Sequence, residues 1–177
     1  MNISIEKKAD DLLKEFEIIK APVPIEKIAL WLDLEVIPAD LGEGVSGVLF
    51  IRDGKATIGV NESEHRIRRR FTVAHELGHY ILHKMRNELF IDKQMTLGSQ
   101  MLFRDSESSL GEKRQEREAN AFAAAILMPR FMLQREIKDV LEEGQIDSEE
   151  ELIKSLSKKF DVSQISLTYR MTNLGLI

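Results

Sequence analysis

A chain of 177 residues is long enough for one domain, or for one domain with a small appended unit, and it can bury a core without disulfide bonds. It contains no cysteine, which fits a reducing cytoplasm and means that any metal site must be built from His, Asp and Glu. The net charge of −5 excludes nucleic-acid binding through bulk positive charge. Because neither a secretory signal nor an apolar run long enough to cross a bilayer is apparent, we expect a cytoplasmic protein with no membrane partner.

The first third of the chain predicts two helices followed by a small sheet. Apolar residues recur at helical spacing over residues 5–20, and a second helix is predicted to begin at Pro24, since proline is tolerated in a first turn. A short strand at 34–37 precedes two apolar runs at 48–51 and 56–60. Asp53-Gly54 between these runs is a strong hairpin signal, so we expect a small antiparallel sheet whose strand order stays open.

The remainder is predicted to be mostly helical, which gives an α+β fold. Helices are expected at 65–85, 112–127 and 131–141, and a terminal pair at 149–160 and 164–174 with Ser163 as a helix cap. The weakly periodic residues 86–111 predict a long loop or a partly ordered flap. We expect one domain over residues 1–142 and a helical appendage, packed on it, over 143–177.

The helix predicted at 65–85 carries the spacing His-Glu-x-x-His at His75, Glu76 and His79. Helical positions four apart lie on one face, so the two imidazoles can converge on one zinc ion. Glu76 is then placed to accept a proton from a zinc-bound water, as in metallopeptidases. Gly78 is costly inside a helix and predicts that another element approaches the helix closely there.

A tetrahedral catalytic zinc needs a third protein ligand. His83 continues the spacing, but it lies about 12 Å from His75 along the helix axis, too far to share one ion. The segment 116–125 is a better source, since it begins charged and becomes almost wholly apolar. Glu118 is the first choice because its helical face looks buried, and Glu116 is the alternative.

Several segments together resemble the ImmA/IrrE family of metallopeptidases. They are Phe71–His79, Glu118–Ala124 and Leu127–Pro129, with further similarity at Pro22–Ile25, Val45–Gly47, Val60–Asn61 and Phe160–Ser163. The resemblance implies a mostly helical, zincin-like core of gluzincin type with the sheet packed on the metal-binding helix. It also implies that His75, His79 and Glu118 hold Zn²⁺ and that Glu76 is the catalytic base.

The same resemblance implies an endopeptidase that cleaves or inactivates a helix-turn-helix repressor encoded nearby, in mobile-element, phage-like or stress-response regulation. The alternative is a zinc-containing module that sequesters the repressor without cleaving it, although the presence of Glu76 favours the enzyme. Direct nucleic-acid binding by the terminal helices is disfavoured, since the second of them carries Arg170 as its one cation and the first begins with three glutamates.

Smaller questions stay open at the level of sequence. The hairpin either pairs with an extended substrate or simply covers the helices. The arginine cluster at 66–70 either binds an acidic partner or forms a solvated helix face. Five side chains could stabilise the reaction's oxyanion: His65, Tyr80, His83, Tyr169 and Arg170.

Overall fold

The computed structural model describes residues 3–83, 89–93, 107–142, 144 and 148–177. The elements are α1 (Ile3–Glu15), α2 (Ile25–Trp31), β1 (Leu34–Ala39), β2 (Val45–Arg52), β3 (Lys55–Asn61), α3 (Arg66–His83), β4 (Leu89–Lys93), α4 (Glu107–Leu127), α5 (Arg130–Glu142), α6 (Glu149–Phe160) and α7 (Gln164–Leu174). This content confirms the α+β class. Among the described residues, no helix is long and apolar enough to cross a membrane.

The chain forms two compact units, as judged from which residues lie close together in space. One is the continuous stretch Ile25–Ala123, which holds the sheet, α2, α3 and most of α4. The other combines Met1–Pro24 with Ala124–Ile177, so α1 shares a unit with α5, α6 and α7. The unit boundaries therefore lie at 24 and 124, whereas the sequence led us to expect a division at 142.

The sheet is mixed, which corrects the expected antiparallel arrangement. Its strand order is β1-β3-β2-β4. The β2–β3 hairpin turns through Asp53 and Gly54, whose φ angles of 52° and 79° are those of the predicted tight turn. β2 also pairs antiparallel with β4, but β1 pairs parallel with β3. Strand partners are chosen by tertiary packing, so periodicity along the chain did not reveal this parallel pair.

Asn61, at the end of β3, fixes the connection that leads from β1 to β2. Its buried side-chain amide donates to the carbonyl oxygens of Gly42, at 2.9 Å, and Val45, at 2.7 Å. Its amide oxygen accepts from the backbone N–H of Ser63 at 3.1 Å. This one side chain therefore holds the start of β2 beside the segment that enters α3.

The inner face of the sheet packs on α3, as the resemblance implies. Alternate residues of the hairpin point inward and are buried against the apolar face of the helix, with α2 covering a further part of α3. The buried set is Leu49, Ile51, Ala56, Ile58 and Val60 from the strands, and Val73, Ala74 and Leu77 from α3. Each fully buried aliphatic side chain contributes roughly 1.5–3 kcal/mol of transfer free energy, so this layer makes α3 a rigid platform.

Residues 86–111 contain more regular structure than the expected loop. Strand β4 pairs with β2, and α4 begins at Glu107 rather than near 112. Hydrogen bonds to β2 hold β4 in the sheet, and the weak periodicity of a segment on its own does not predict such a partner. The rest of the expected flap lies outside the described residues.

The second unit confirms the predicted terminal helix pair, with both helices at the predicted bounds. The Ser163 hydroxyl accepts from the backbone N–H of Ser166 and caps α7, as predicted. Arg170 of α7 is buried, and it donates to both carboxylate oxygens of Glu6 in α1 and to the carbonyl of Met128. These bonds join α1 to the C-terminal helices.

Candidate metal centre

Helix α3 presents the two histidines of the motif side by side in the interior. His75 and His79 are 2% and 0% exposed, and their Nε2 atoms are 3.0 Å apart. Glu76 lies on the same helical turn and is 1% exposed. The helix and the sheet that covers it thus bury a carboxylate and two imidazoles together, which is the arrangement expected from the spacing.

Helix α4 reaches this site because Gly78 has no side chain. A methyl group on Gly78 would lie 3.1 Å from both the Cα and the carbonyl oxygen of Ala119, and 3.2 Å from the Phe122 ring. Such contacts are tighter than backbone atoms tolerate without moving. The prediction that Gly78 marks a close approach is confirmed, and the approaching element is α4.

Glu116 of α4 completes a group of three possible metal ligands with the histidines. Its carboxylate oxygens lie 3.3 Å from His75 Nε2 and 3.2 Å from His79 Nε2. Burial raises the pKa of Glu116, but the adjacent imidazoles of His75 and His79 outweigh burial and lower the pKa from 4.5 to about 2. The group is therefore ionised at neutral pH, which is the form that binds a cation.

This geometry favours Glu116 over the first choice from the sequence, Glu118, as the third donor. Glu118 is turned away from the histidine pair: it accepts from Arg114 at 2.9 Å and lies 3.9 Å from His83 Nδ1. Residues two apart on a helix point in nearly opposite directions, so Glu116 and Glu118 cannot serve the same point. The alternative weighed at the level of sequence, Glu116, is the one that the fold brings to the site.

Asn120 is a site residue that the sequence analysis did not single out. Its side-chain oxygen accepts from Nδ1 of His75 at 3.0 Å, so a neutral His75 carries its lone pair on Nε2, facing His79 and Glu116. The signal was present in the sequence, since Asn120 follows Glu116 by four residues and shares its helical face.

The three donor atoms fit a metal ion. Two imidazole nitrogens and a carboxylate oxygen lie within 4.8 Å of one another, close enough to bind one ion together. Two histidines and one glutamate form a donor set of the kind that catalytic zinc sites use. The His75, His79 and Glu116 side chains could therefore hold a divalent cation.

Residues 31–172, which include every residue of this site, match the family model Peptidase M78, described as the IrrE N-terminal-like domain. The chain belongs to this family. The match confirms the resemblance to ImmA/IrrE proteins noted from the motifs, and it places the chain in a family of metallopeptidases.

One solved structure with a similar fold is a Mycobacterium tuberculosis transcriptional regulator. The two chains align with a TM-score of 0.61 and 18% sequence identity, over 96% of this chain and 47% of the regulator. This IrrE-like chain thus spans about half the length of that protein, and at this identity the likeness is one of fold. A comparison with curated proteins finds no match.

The candidate oxyanion donors in the unit Ile25–Ala123 of this IrrE-like chain occupy different environments. His65 is exposed, and Tyr80 is partly exposed. His83 is partly buried beside the carbonyl of Gln115, 3.3 Å from its Nε2. Burial, together with the nearby His79, lowers the pKa of His83 despite the opposing effect of this carbonyl and of Glu118. His83 lies outside the three-residue group, as expected from its spacing.

The two remaining candidates lie in the other unit, where Arg170 is engaged by Glu6 and Met128 and Tyr169 is 58% exposed. The hydrogen bonds of Arg170 indicate a structural role, because they join α1 to the C-terminal helices. Tyr169 keeps most of its side chain in solvent.

The arginine cluster at the start of α3 is not a uniform solvated face. Arg70 is 9% exposed, and Arg68 donates to the hydroxyl of buried Ser46, with its Nη2 atom 3.2 Å away. At least half of the cluster therefore stabilises the fold around α3, whereas Arg66 is exposed.

Proposed function

We propose that the chain is a zinc-dependent endopeptidase in which His75, His79 and Glu116 hold the ion and Glu76 is the catalytic base. The observation that carries this proposal is the convergence of three buried or half-buried donor atoms from α3 and α4 on one point next to Glu76. A module that only bound a partner would have no need of a buried carboxylate at position 76.

Zinc, when bound, supplies a Lewis acid for the scissile carbonyl and lowers the pKa of a bound water to about 7. Glu76 accepts the proton of the attacking water and passes it to the leaving amine. Asn120 holds the His75 ring through Nδ1, so that Nε2 keeps its orientation. The packing of the sheet on α3 keeps Glu76 away from bulk solvent.

We further propose that the substrate is a helix-turn-helix repressor encoded near this gene. Two considerations support the idea: the resemblance to ImmA/IrrE peptidases and the fold shared with a chain described as a transcriptional regulator. The net charge of −5 favours a protein partner over direct contact with nucleic acid.

The test is incubation of the zinc-loaded protein with the repressor encoded beside its gene, followed by intact-mass spectrometry. We expect the wild type to cut one peptide bond. The Glu76→Gln variant should bind zinc normally but cut about 10²–10⁴-fold more slowly, because it lacks the base.

Two other outcomes of this experiment would contradict the proposed mechanism. If both proteins bind the repressor and neither cuts it, the chain is a zinc-containing module that sequesters the repressor. If Glu76→Gln cuts as fast as the wild type, Glu76 is not the base.

A further inference from the structure

The start of β2 lies close to the Glu76 side chain at Gly47, which is buried. A methyl group built on Gly47 would lie 3.3 Å from Glu76 Oε1 and would overlap the Thr72 methyl group. The backbone at Gly47 does not have the positive φ that favours glycine, so conformation does not explain the residue. The close approach of β2 to α3 explains why glycine stands at this position.

A bulge in β2 sets the position of Gly47. Val45 and Gly47 pair with the adjacent residues Lys93 and Asp92 of β4, so Ser46 is an extra residue in β2. Bulges of this kind bend a strand and redirect a side chain, and they are common beside active sites. Here the bulge turns the Ser46 hydroxyl inward, where it donates to Glu64 and accepts from Arg68. Since both partners flank or begin α3, the bonds fasten the β2 backbone to that helix.

The α3 side of this contact is formed by Thr72 and Glu76, which are four residues apart on one helical face. Thr72 is 1% exposed, and its hydroxyl oxygen has no hydrogen-bond partner among the described residues. Its methyl group is the part that faces Gly47. The β2 backbone therefore rests on the Thr72 methyl group and on the edge of the Glu76 carboxylate, with no space between them for a side chain.

We propose that Gly47 is a positioning residue for Glu76: its missing side chain lets the bulged end of β2 limit where the carboxylate can lie. The inference rests on the proposed role of Glu76 as base, and it adds that the start of β2 positions the Glu76 carboxylate. The three atoms nearest to a methyl group at position 47 belong to Thr72, Glu76 and Gly59, and none of them to the proposed metal ligands, so metal binding and base placement should separate.

The test uses the double variant Gly47→Ala/Thr72→Ser, because Gly47→Ala alone would also collide with the Thr72 methyl group. Removal of that methyl group relieves the one severe overlap and leaves the new methyl group 3.3 Å from Glu76 Oε1 and 3.3 Å from the Gly59 carbonyl oxygen. We expect wild-type zinc affinity and KM for repressor cleavage, with kcat lowered by about 100-fold, since a displacement near 1 Å has that effect. Crystal structures of the wild type and of the double variant should show the Glu76 carboxylate in different positions.

Gly59→Ala is the matched control on the neighbouring strand. Its methyl group would meet Val48 at 2.8 Å, so it strains the same sheet without approaching α3. It should lower the melting temperature and leave kcat of the folded protein unchanged.

The proposal is overturned if Glu76 keeps its position in the double variant, or if the double variant turns over like the wild type. The crystallographic comparison does not require activity. Should the wild type fail to cut any repressor, the proposed function would fail, while the position of Glu76 would still decide the role of Gly47.

Discussion

Glu116 and Glu118 differ little in burial, with side chains 19% and 23% exposed, and they differ in direction. At 3.6 residues per turn they point about 200° apart around α4. The sequence favoured Glu118 because its face looked apolar, and that choice depended on which face of α4 meets α3. The close contacts of Gly78 with Ala119 and Phe122 decide the face, and no local pattern in α4 contains that information.

The two carboxylates therefore form a matched pair for a metal-binding experiment. Glu116→Gln should weaken zinc binding by more than the roughly 10–100-fold that loss of a ligand's hydrogen-bond partner causes. Glu118→Gln should bind zinc like the wild type, because it removes only the contacts with Arg114 and His83. Competition with a chromophoric chelator measures both constants. The reverse order of affinities would restore Glu118 as the ligand.

The long, periodic helices were predicted well from the sequence, and strand pairing was not. Amphipathic periodicity and the Ser163 cap gave α6 and α7 at their observed bounds. The parallel pairing of β1 with β3 and the presence of β4 depend on partners elsewhere in the chain. At the site, the motif supplied both histidines and Glu76, whereas the choice of Glu116 over Glu118 required the crossing of α3 and α4.

That crossing should be sensitive to a single methyl group. Gly78→Ala would press on the Ala119 backbone, which cannot rotate away, so α4 has to shift. We expect a loss of about 1–3 kcal/mol in the free energy of unfolding, as in other overpacked cores. Zinc binding should weaken as well, because Glu116 moves with α4. Urea denaturation and the same chelator titration measure the two effects.

Gly111→Ala on α4 is the control for this experiment. Nothing lies within 4 Å of the methyl group it would add. Alanine is favoured over glycine in a helix by up to about 1 kcal/mol, so this variant should be stabilised. Equal destabilisation by both variants would show that Gly78 has no special contact with α4.

One buried carboxylate should make the stability of the protein depend on pH. Glu136 of α5 is 5% exposed and pairs with Lys159 of α6 and with Arg135. Burial raises its pKa, but the bonds to Lys159 and Arg135 outweigh burial and hold the pKa below the ordinary 4.5. A carboxylate with a depressed pKa stabilises the fold above its unfolded-state pKa and loses this contribution as the pH falls through its folded-state value.

Glu136→Gln should therefore cost about 1.5–3 kcal/mol at pH 7, a typical value for hydrogen bonds to a charged group. The difference from the wild type should shrink as the pH falls below about 4.5, where the unfolded carboxylate takes up its proton. Urea denaturation between pH 3 and pH 7 checks this. Glu142→Gln on the same helix removes an exposed ion pair with Lys138 and should change little at any pH. A constant gap between wild type and Glu136→Gln across this range would refute the assignment.

The grouping of α1 with the C-terminal helices has a consequence for synthesis on the ribosome. The proposed metal ligands and Glu76 all lie in the continuous stretch Ile25–Ala123, whose contacts can form once that stretch has emerged. Helix α1 is made earlier, but its unit is completed only by residues from Ala124 onward. The ion pair of Glu6 can form only when Arg170, 164 positions later, has been made. Ile5, Ala9 and Leu13 of α1 are all buried in the finished fold. A chain interrupted before α7 would therefore leave α1 without the Arg170 partner of Glu6 and without the helices that complete its unit, which would make it a target for the cell's chaperones and proteases.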